Sequence, residues 1–178
     1  VIAAHPSVPA KNLAAFLELA RKNPGVYNYA SAGNGSANHL AGELLSAMAK
    51  VNMTHVPYRG GAPAINGALA GDVQTVVAFP LAVLPHIQAG KLKALAVTGA
   101  KRAAALPDVP TVAESGVAGY DFSSWFGFVV PKGTPPFPEV HAKSGFPSLV
   151  TLLPHWPPLD EGHQGVPDVE VASAHLTR

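Results

Sequence analysis

Short apolar segments alternate with segments of helical spacing from residue 1 to residue 98, and glycine or proline marks most of the junctions. The apolar segments are predicted strands at residues 1–4, 27–30, 54–56, 73–78 and 94–98. Strands that alternate with helices at this spacing are typical of an α/β fold. The predicted architecture is therefore a mostly parallel sheet with helices on both faces and right-handed crossovers.

The four segments between these strands are predicted helices, and their ends carry recognisable signals. The first follows Asn12, a good helix cap, and has apolar residues at helical spacing, namely Leu13, Phe16, Leu17 and Ala20. The second is predicted to place its apolar residues along one face, namely Leu40, Leu44, Ala47 and Met48. The third contains Pro63 in its first turn and ends at Gly71, and the fourth covers residues 81–89 before Gly90.

The pattern changes after residue 98. Residues 101–119 are a proline-punctuated loop with one short helix, which Thr111 and Glu114 are predicted to begin as a capping box. Residues 126–130 form one more predicted strand. Residues 131–178 contain nine of the 18 prolines and keep no period, so we expect an irregular or poorly ordered tail. The predicted domains are residues 1–130 and 131–178.

Composition excludes several classes of function. The net charge is +1 and the cationic residues are scattered, which argues against nucleic acid as a partner. No apolar run approaches the ~18 residues that span a bilayer, so direct membrane insertion is not expected. The absence of cysteine removes disulfides, thiolate metal sites and cysteine nucleophiles. The chain opens at Val1 without a methionine, and we expect its true beginning, with any signal peptide, to be missing.

The loop at residues 31–36 is the first candidate site, because it joins a predicted strand to a predicted helix. Ligands of open α/β sheets bind beyond the carboxyl ends of strands, and a helix start offers unpaired amides to an anion. Ser31 and Ser36 add hydroxyls, while the glycines allow close approach to the backbone. The alternative interpretation is a tight turn with Ser36 as a helix cap, and the sequence leaves both open.

The second candidate site lies at residues 55–63 and repeats the arrangement of strand, glycine loop and helix. Tyr58 could close over a ligand and Arg59 could pair with a carboxylate, although a surface arginine beside an ordinary turn is the simpler interpretation of Arg59. Two such loops on successive strands would converge on one crevice, which strengthens both.

The sequence contains no complete motif for phosphate, dinucleotide or metal binding or for a catalytic nucleophile. No phosphate-binding loop of the P-loop kind occurs, and Gly33-x-Gly35 lacks the third glycine of a dinucleotide site. His39 and Glu43 lie four residues apart without a third metal ligand nearby. Ser123 has no nucleophile-elbow context. The sequence therefore predicts no catalytic residue, no metal and no cofactor.

Seven segments together resemble the Bug family, also called the TctC type, of solute-binding proteins of tripartite tricarboxylate transporters. They occur in the order and spacing of that family over residues 1–135. They are residues 29–36 (YASAGNGS), 39–43 (HLAGE), 55–63 (HVPYRGGAP), 90–97 (GKLKALAV), 106–116 (LPDVPTVAESG), 124–127 (SWFG) and 131–135 (PKGTP).

The resemblance implies one lobe of a two-lobe periplasmic receptor that is not an enzyme and uses no cofactor. Its partners would be a small organic carboxylate and the membrane components of a tripartite transporter, and its location would be the periplasm. Carried over by motif, the implied ligand-binding residues are Ser31, Ala32, Gly33, Gly35, Ser36, His39, Tyr58, Arg59, Gly60 and Gly61.

The chain also departs from the family pattern. The first lobe is expected before Val1, and the long helix that normally follows residue 135 has no counterpart in the sequence. Ala78 and Phe79 stand where many relatives carry Asp-Asn, which makes an amino-acid ligand less favourable. A reading-frame shift near residue 135 is one hypothesis. The alternative to a receptor is therefore a degenerate, frameshifted fragment without binding activity.

We predict weak or undetectable binding by this chain alone, because half a cleft leaves the ligand solvated on one side. Two charge-assisted hydrogen bonds of roughly 1.5–3 kcal/mol each, less the costs of association, give about millimolar affinity at best. Titration of the purified chain with small carboxylates tests this, and a micromolar dissociation constant would contradict it.

Overall fold

The computed structural model describes residues 1–124, in which strands and helices alternate from the first strand to the last. The strands are β1 (Ile2–Ala4), β2 (Asn28–Ser31), β3 (Thr54–Pro57), β4 (Thr75–Val77) and β5 (Lys93–Ala96). The helices are α1 (Leu13–Lys22), α2 (Ala37–Ala49), α3 (Gly61–Ala70) and α4 (Pro80–Gln88). Every strand and helix predicted between residues 1 and 98 is present, with shifted ends. The predicted strand at 126–130, the tail and the domain boundary lie outside the described residues and stay predictions.

The strands form one sheet in the order β3-β2-β4-β1-β5. β2 is parallel to β3 and to β4, whereas β1 is antiparallel to both of its neighbours, β4 and β5. Four strands therefore run in one direction and β1 runs against them. This confirms the predicted mostly parallel α/β sheet. The reversed β1 was not predicted, because strand direction depends on pairing partners distant in sequence.

Two hydrophobic cores cover the two faces of the sheet, as predicted. The first core contains Leu13 and Phe16 of α1 together with Leu45 of α2. The second core contains Ile65 of α3 and Val83 of α4. Successive residues of β1 alternate between the two cores, since neighbouring side chains of a strand point to opposite faces.

The first helix begins where the sequence predicted. The Asn12 side chain accepts a hydrogen bond from the Ala15 amide at 2.9 Å, which satisfies one of the unpaired donors at the start of α1. The end of α3 also agrees with the prediction, because Gly71 adopts the left-handed conformation that closes a helix.

The buried face of α2 differs from the predicted one. Leu40 is 50% exposed and Met48 is 37% exposed, and Leu44 is only partly buried. The face against the sheet instead consists of Asn38, Ala41, Gly42, Leu45 and Ala49. Both stripes repeat at four-residue spacing, so periodicity alone could not separate them. The stripe with small residues is buried because Gly42 lets the helix approach the ring of Tyr29.

The predicted short helix at Thr111 is wrong, although its capping box forms. The Thr111 amide donates to the Glu114 carboxylate at 2.8 Å, and the Glu114 amide donates to the Thr111 hydroxyl at 3.1 Å. The segment makes turns and no helix, and Gly116 adopts a φ of 103° that leaves the right-handed helical region.

Replacement of Gly42 by alanine is expected to destabilise the fold. A methyl group at this position would overlap the Tyr29 ring, and overpacking of this kind costs typically about 1–3 kcal/mol, more than the gain in helix propensity of ~1 kcal/mol. Urea denaturation of the purified variant measures the free energy of unfolding.

Gly61→Ala is the matched control, because no atom lies within 4 Å of the methyl group that it would add. We expect Gly61→Ala to leave the urea midpoint unchanged or slightly raised. Equal midpoints for Gly42→Ala and the unmodified chain would show that α2 does not depend on this close contact.

Candidate functional site

The structure brings the two predicted loops together at the carboxyl ends of β2 and β3. The Tyr58 amide donates to the Ser31 carbonyl at 3.1 Å, and the Gly60 amide donates to the Ala32 carbonyl at 3.1 Å. These bonds continue the parallel pairing of β2 and β3 past the strands. The loops therefore close directly against each other, and what remains available to a ligand is their outer edge.

The hydroxyls of Ser31 and Ser36 hold the first loop from inside. Ser31 is fully buried, and its Oγ lies 2.6 Å from His55 Nε2 and accepts the Gly33 amide at 3.1 Å. Ser36 caps α2, because its Oγ accepts the His39 amide at 3.2 Å and donates to the Gly33 carbonyl at 2.7 Å. The helix-cap interpretation of Ser36 is thus observed, and the donors left for a ligand are backbone amides.

Three glycines of the two loops, Gly33, Gly35 and Gly60, take conformations that other residues rarely adopt. Gly33 has φ of 127°, and a side chain there would lie 3.2 Å from the Tyr58 carbonyl oxygen. Gly60 has φ of 117° directly before α3. Replacing either glycine would strain the backbone, and at Gly33 the added side chain would also crowd the second loop.

Two stacked histidines support the first loop from the helix side. The rings of His39 and His55 have centroids 4.0 Å apart, and His39 Nδ1 accepts the Gly35 amide at 3.1 Å. Because Nδ1 of His39 is an acceptor, the proton of the neutral ring is on Nε2, which lies 3.8 Å from the Glu43 carboxylate. His39 therefore orients the loop through its hydrogen bond with the Gly35 amide.

Tyr29 completes this cluster from β2. Its hydroxyl donates to Glu43 Oε1 at 2.6 Å, and its ring lies against the ring of His55 at 5.0 Å. Burial, with a smaller contribution from Glu43, raises the pKa of Tyr29, so its hydroxyl remains a donor. Burial and the neighbouring His39 lower the pKa of His55, although Glu43 opposes this shift.

The two side chains predicted to bind a ligand in the second loop, Tyr58 and Arg59, have different environments. The Tyr58 hydroxyl lies against Gly67 of α3, where an added methyl group would overlap it. Arg59 is exposed, and its guanidinium has no ion-pair partner within residues 1–124. Tyr58 thus packs against α3, the helix that follows it, whereas the exposed Arg59 is accessible to an anion from solvent.

The starts of α2 and α3 offer backbone donors at this edge of the sheet. Within the described residues, the amides of Ala37 and Asn38 in α2 and of Gly61 and Ala62 in α3 have no hydrogen-bond partner. The α3 start has no side-chain cap. Such unpaired amides, together with the partial positive charge of a helix start, favour an anion.

A half-open cavity of about 170 Å³ lies on the other side of the α2 start, toward α4 and β5. Its lining includes Asn38, Ala78, Phe79 and Thr98, and none of the ten predicted site residues. Sequence reasoning missed Asn38 in particular. The available signal was helical spacing, since Asn38 precedes Ala41 by three residues and Leu45 by seven and so shares the face that they bury.

Metal-binding and membrane-spanning features are both absent from the part of the chain that the structure describes. It contains no group of three or more histidine, aspartate or glutamate side chains placed to hold a metal ion. None of its helices has both the length and the apolar character needed to cross a membrane.

The sequence matches a family of transport receptors. A profile of the family described as "Tripartite tricarboxylate transporter family receptor" matches residues 1–144. A protein from the tcbD-tcbE intergenic region of a Pseudomonas species is 42% identical over 126 residues, which cover 70% of this chain and 38% of that protein. BugT of Bordetella pertussis is 35% identical over 136 residues, covering 76% and 42% of the two chains.

Solved structures show the same likeness. The R. palustris protein Rpa4515 with adipate is 38% identical with a TM-score of 0.72, over 76% of this chain and 45% of that one. The periplasmic binding protein BugD is 38% identical with a TM-score of 0.64, over 67% and 40%. MatC from Rhodopseudomonas palustris with bound malate is 30% identical with a TM-score of 0.64, over 68% and 41%. The chain thus spans about two fifths of the length of these relatives, as one lobe would.

The lowered pKa of His55 predicts a pH dependence of stability. The folded state binds a proton at His55 less readily than the unfolded chain does. The neutral His55 ring therefore contributes its full share of the folding free energy above the ordinary histidine pKa of 6.5. That contribution is lost as the pH falls through the lower pKa of the folded state. Urea midpoints measured between about pH 7.5 and about pH 5.5 should decrease, and less steeply in His55→Gln.

His86→Gln, which changes a histidine of α4 outside this cluster, reports any general effect of losing a histidine. Identical slopes for His55→Gln and the unmodified chain would remove His55 as the origin of the pH dependence.

Proposed function

We propose, because the chain belongs to the tripartite tricarboxylate transporter receptor family, that it is the lobe of a periplasmic receptor that captures a small organic carboxylate. The observation that carries the proposal is the α2 start, where the amides of Ala37 and Asn38 are unpaired within the described residues. A carboxylate placed there receives backbone hydrogen bonds and the favourable end of the helix dipole.

The first loop serves this binding as a rigid support. Ser31, Ser36, His39 and His55 are each engaged in hydrogen bonds that hold the loop. A donor fixed in position before the ligand arrives loses little conformational freedom on binding, which strengthens the interaction. In this proposal Ala32, Gly33 and Gly35 provide the backbone wall, and the hydroxyls act through their hold on it.

The second loop borders the same edge. Gly60 precedes α3, the amide of Gly61 at its first position is unpaired within residues 1–124, and Arg59 adds an exposed cation beside them. A second negative group on the ligand, or on a facing lobe, would meet Arg59 there. Tyr58 contributes by packing against α3 and by supporting the first loop through its backbone.

The ligand class is supported by the relatives. Rpa4515 was solved with adipate and MatC with malate, and both ligands are small carboxylates. The family description is that of a receptor and not of an enzyme. Delivery to the membrane components of a tripartite transporter, and a periplasmic location, follow in this proposal from family membership and from relatives such as BugD.

Ala37→Pro tests the role of the α2 start. Proline is tolerated at the first position of a helix, and Ser36 already has the extended conformation that proline requires before it. The substitution removes one unpaired amide, so we expect carboxylate affinity to fall by roughly tenfold with little change in the melting temperature. Nuclear magnetic resonance titration of the full chain with millimolar acetate measures this affinity.

Ala37→Ser is the matched control, because it alters the side chain and keeps the amide. We expect it to bind acetate as the unmodified chain does. Equal affinity for Ala37→Pro and Ala37→Ser would exclude the α2 start as the anion site, and a lack of binding by the unmodified chain would count against capture of a carboxylate by this lobe alone.

A further inference from the structure

Two asparagines of the chain precede a glycine, Asn34 before Gly35 and Asn66 before Gly67. In such a pair the glycine nitrogen can attack the carbonyl carbon of the asparagine side chain. The five atoms of the resulting ring are contiguous in the chain, and glycine has no side chain to obstruct the approach. Asparagine is among the thermolabile residues of proteins. The two pairs therefore present the same reactive sequence in two structural settings.

The first pair lies in the first loop, where Asn34 and Gly35 are both exposed. The Asn34 side chain has no hydrogen-bond partner within residues 1–124, so nothing in this part of the chain holds it away from the next amide. Apart from the adjoining residues, no described atom lies within 4 Å of the position that a Cβ of Gly35 would occupy. Packing therefore does not oppose ring closure at this pair.

The second pair lies inside α3, which extends from Gly61 to Ala70. An amide in a helix interior donates to the carbonyl four residues before it, and ring closure would require a backbone rotation that breaks the helix. Gly67 is also buried, and the Tyr58 hydroxyl packs against it. The Asn66 pair is therefore protected and serves as an internal comparison for the loop pair.

The loop pair has a base at its attacking nitrogen. His39 Nδ1 accepts the Gly35 amide at 3.1 Å, so the proton that ring closure must remove is already directed at an imidazole nitrogen. This distance lies within the reach of a general base, about 2.6–3.2 Å. A carbonyl oxygen in the same place would accept the hydrogen bond without being able to take the proton.

Three titratable groups face His39 from the strands and the helix around it. His55 of β3 stacks on its ring at 4.0 Å, Glu43 of α2 lies 3.8 Å from its Nε2, and Tyr29 of β2 donates to the Glu43 carboxylate. The carboxylate stabilises the imidazolium that forms when His39 takes a proton. Burial lowers the pKa of His55, which favours the neutral form of that ring and limits its repulsion of the imidazolium.

We propose that Asn34 is a site of spontaneous deamidation and that His39 acts as its base. The Gly35 nitrogen transfers its proton to His39 and bonds to the side-chain carbonyl carbon of Asn34. The bond from that carbon to the side-chain nitrogen breaks, and ammonia leaves with the proton that His39 returns. Water then opens the cyclic imide at either carbonyl and gives aspartate or isoaspartate, without any oxidant or reductant.

Either product adds a negative charge to the first loop, two residues before the Ser36 cap of α2. An aspartate is ionised at neutral pH, so it would repel an anion held by the amides of Ala37 and Asn38. Isoaspartate also lengthens the backbone by one atom, which disturbs the bond between Gly35 and His39. The effect on binding rests on the proposed function, whereas the chemical step does not.

The rates of the two pairs are measured in the folded full chain, incubated near neutral pH and then digested with trypsin for mass spectrometry. Cleavage after Lys50 and Arg59 releases the two pairs in different peptides. Conversion at Asn34 is expected to be at least about tenfold faster than at Asn66. Equal rates, or faster conversion at Asn66, overturn the proposal.

His39→Gln tests the base, because glutamine keeps an acceptor for the Gly35 amide but cannot take its proton. Conversion at Asn34 should slow by at least about tenfold, and conversion at Asn66 should not change. A melting curve establishes that the variant is folded. An unchanged rate at Asn34 in the folded variant contradicts the assignment of His39.

The pH profile of the unmodified chain tests the same assignment without any substitution. With His39 as base, the rate at Asn34 rises with pH while histidine loses its proton, between about pH 5 and about pH 8, and then levels off. Attack that depends on hydroxide continues to rise with pH. A rate at Asn34 that rises throughout in proportion to the rate at Asn66 rules out His39 as the base.

Asn34→Asp carries the charge of the product and tests its effect on acetate affinity by nuclear magnetic resonance titration. We expect affinity to fall about two- to fivefold, the effect of an exposed charge. Asn66→Asp adds the same charge on α3 and should bind as the unmodified chain does. Equal affinities for the two variants overturn the effect on binding. If the unmodified chain binds no acetate, the proposed capture by this lobe alone fails, and the mass spectrum still decides whether Asn34 deamidates.

Discussion

The contact between Tyr29 of β2 and Gly42 of α2 holds the second helix close against the sheet. Because Gly42 has no side chain, the helix lies directly on the tyrosine ring, and the tyrosine hydroxyl reaches Glu43 at 2.6 Å. In the same arrangement the ring of His39 stacks on the ring of His55, and Ser36 caps the α2 start after the end of β2. The geometry of the candidate site therefore begins with a packing contact one turn away from it.

Side chains and backbone have different tasks at this site. The polar side chains at the first loop bond to the loop itself: Ser36 to the Gly33 carbonyl, His39 to the Gly35 amide, and Ser31 to the Gly33 amide. The amides of Ala37 and Asn38 are unpaired within residues 1–124. In the proposed function, these backbone donors recognise the charge and shape of a carboxylate, and the neighbouring walls contact the rest of the ligand. Those walls, here Ala78 and Val97 among others, are where a preference for one acid over another would arise.

Much of the fold could be predicted because its signals are local. The Asn12 cap, the Gly71 helix end and the alternation of strands and helices each depend on residues within one turn or one strand. The family could be recognised for the same reason, since its motifs are continuous segments of the chain. The prediction of a short helix at Thr111 was wrong. Its capping box forms, but Gly116 leaves the helical conformation a few residues later.

The sequence by itself determined the α/β class, the order of the elements and the two glycine loops. Tertiary structure alone decided the direction of β1, the buried face of α2 and the position of the cavity. Two apolar stripes of α2 have the same spacing, and only the close approach of Gly42 to Tyr29 selects between them. Likewise, Ser31 could have faced a ligand or the core, and it is the position of His55, on a neighbouring strand, that turns its hydroxyl inward. Periodicity records local geometry, whereas these choices depend on contacts between residues far apart in the chain.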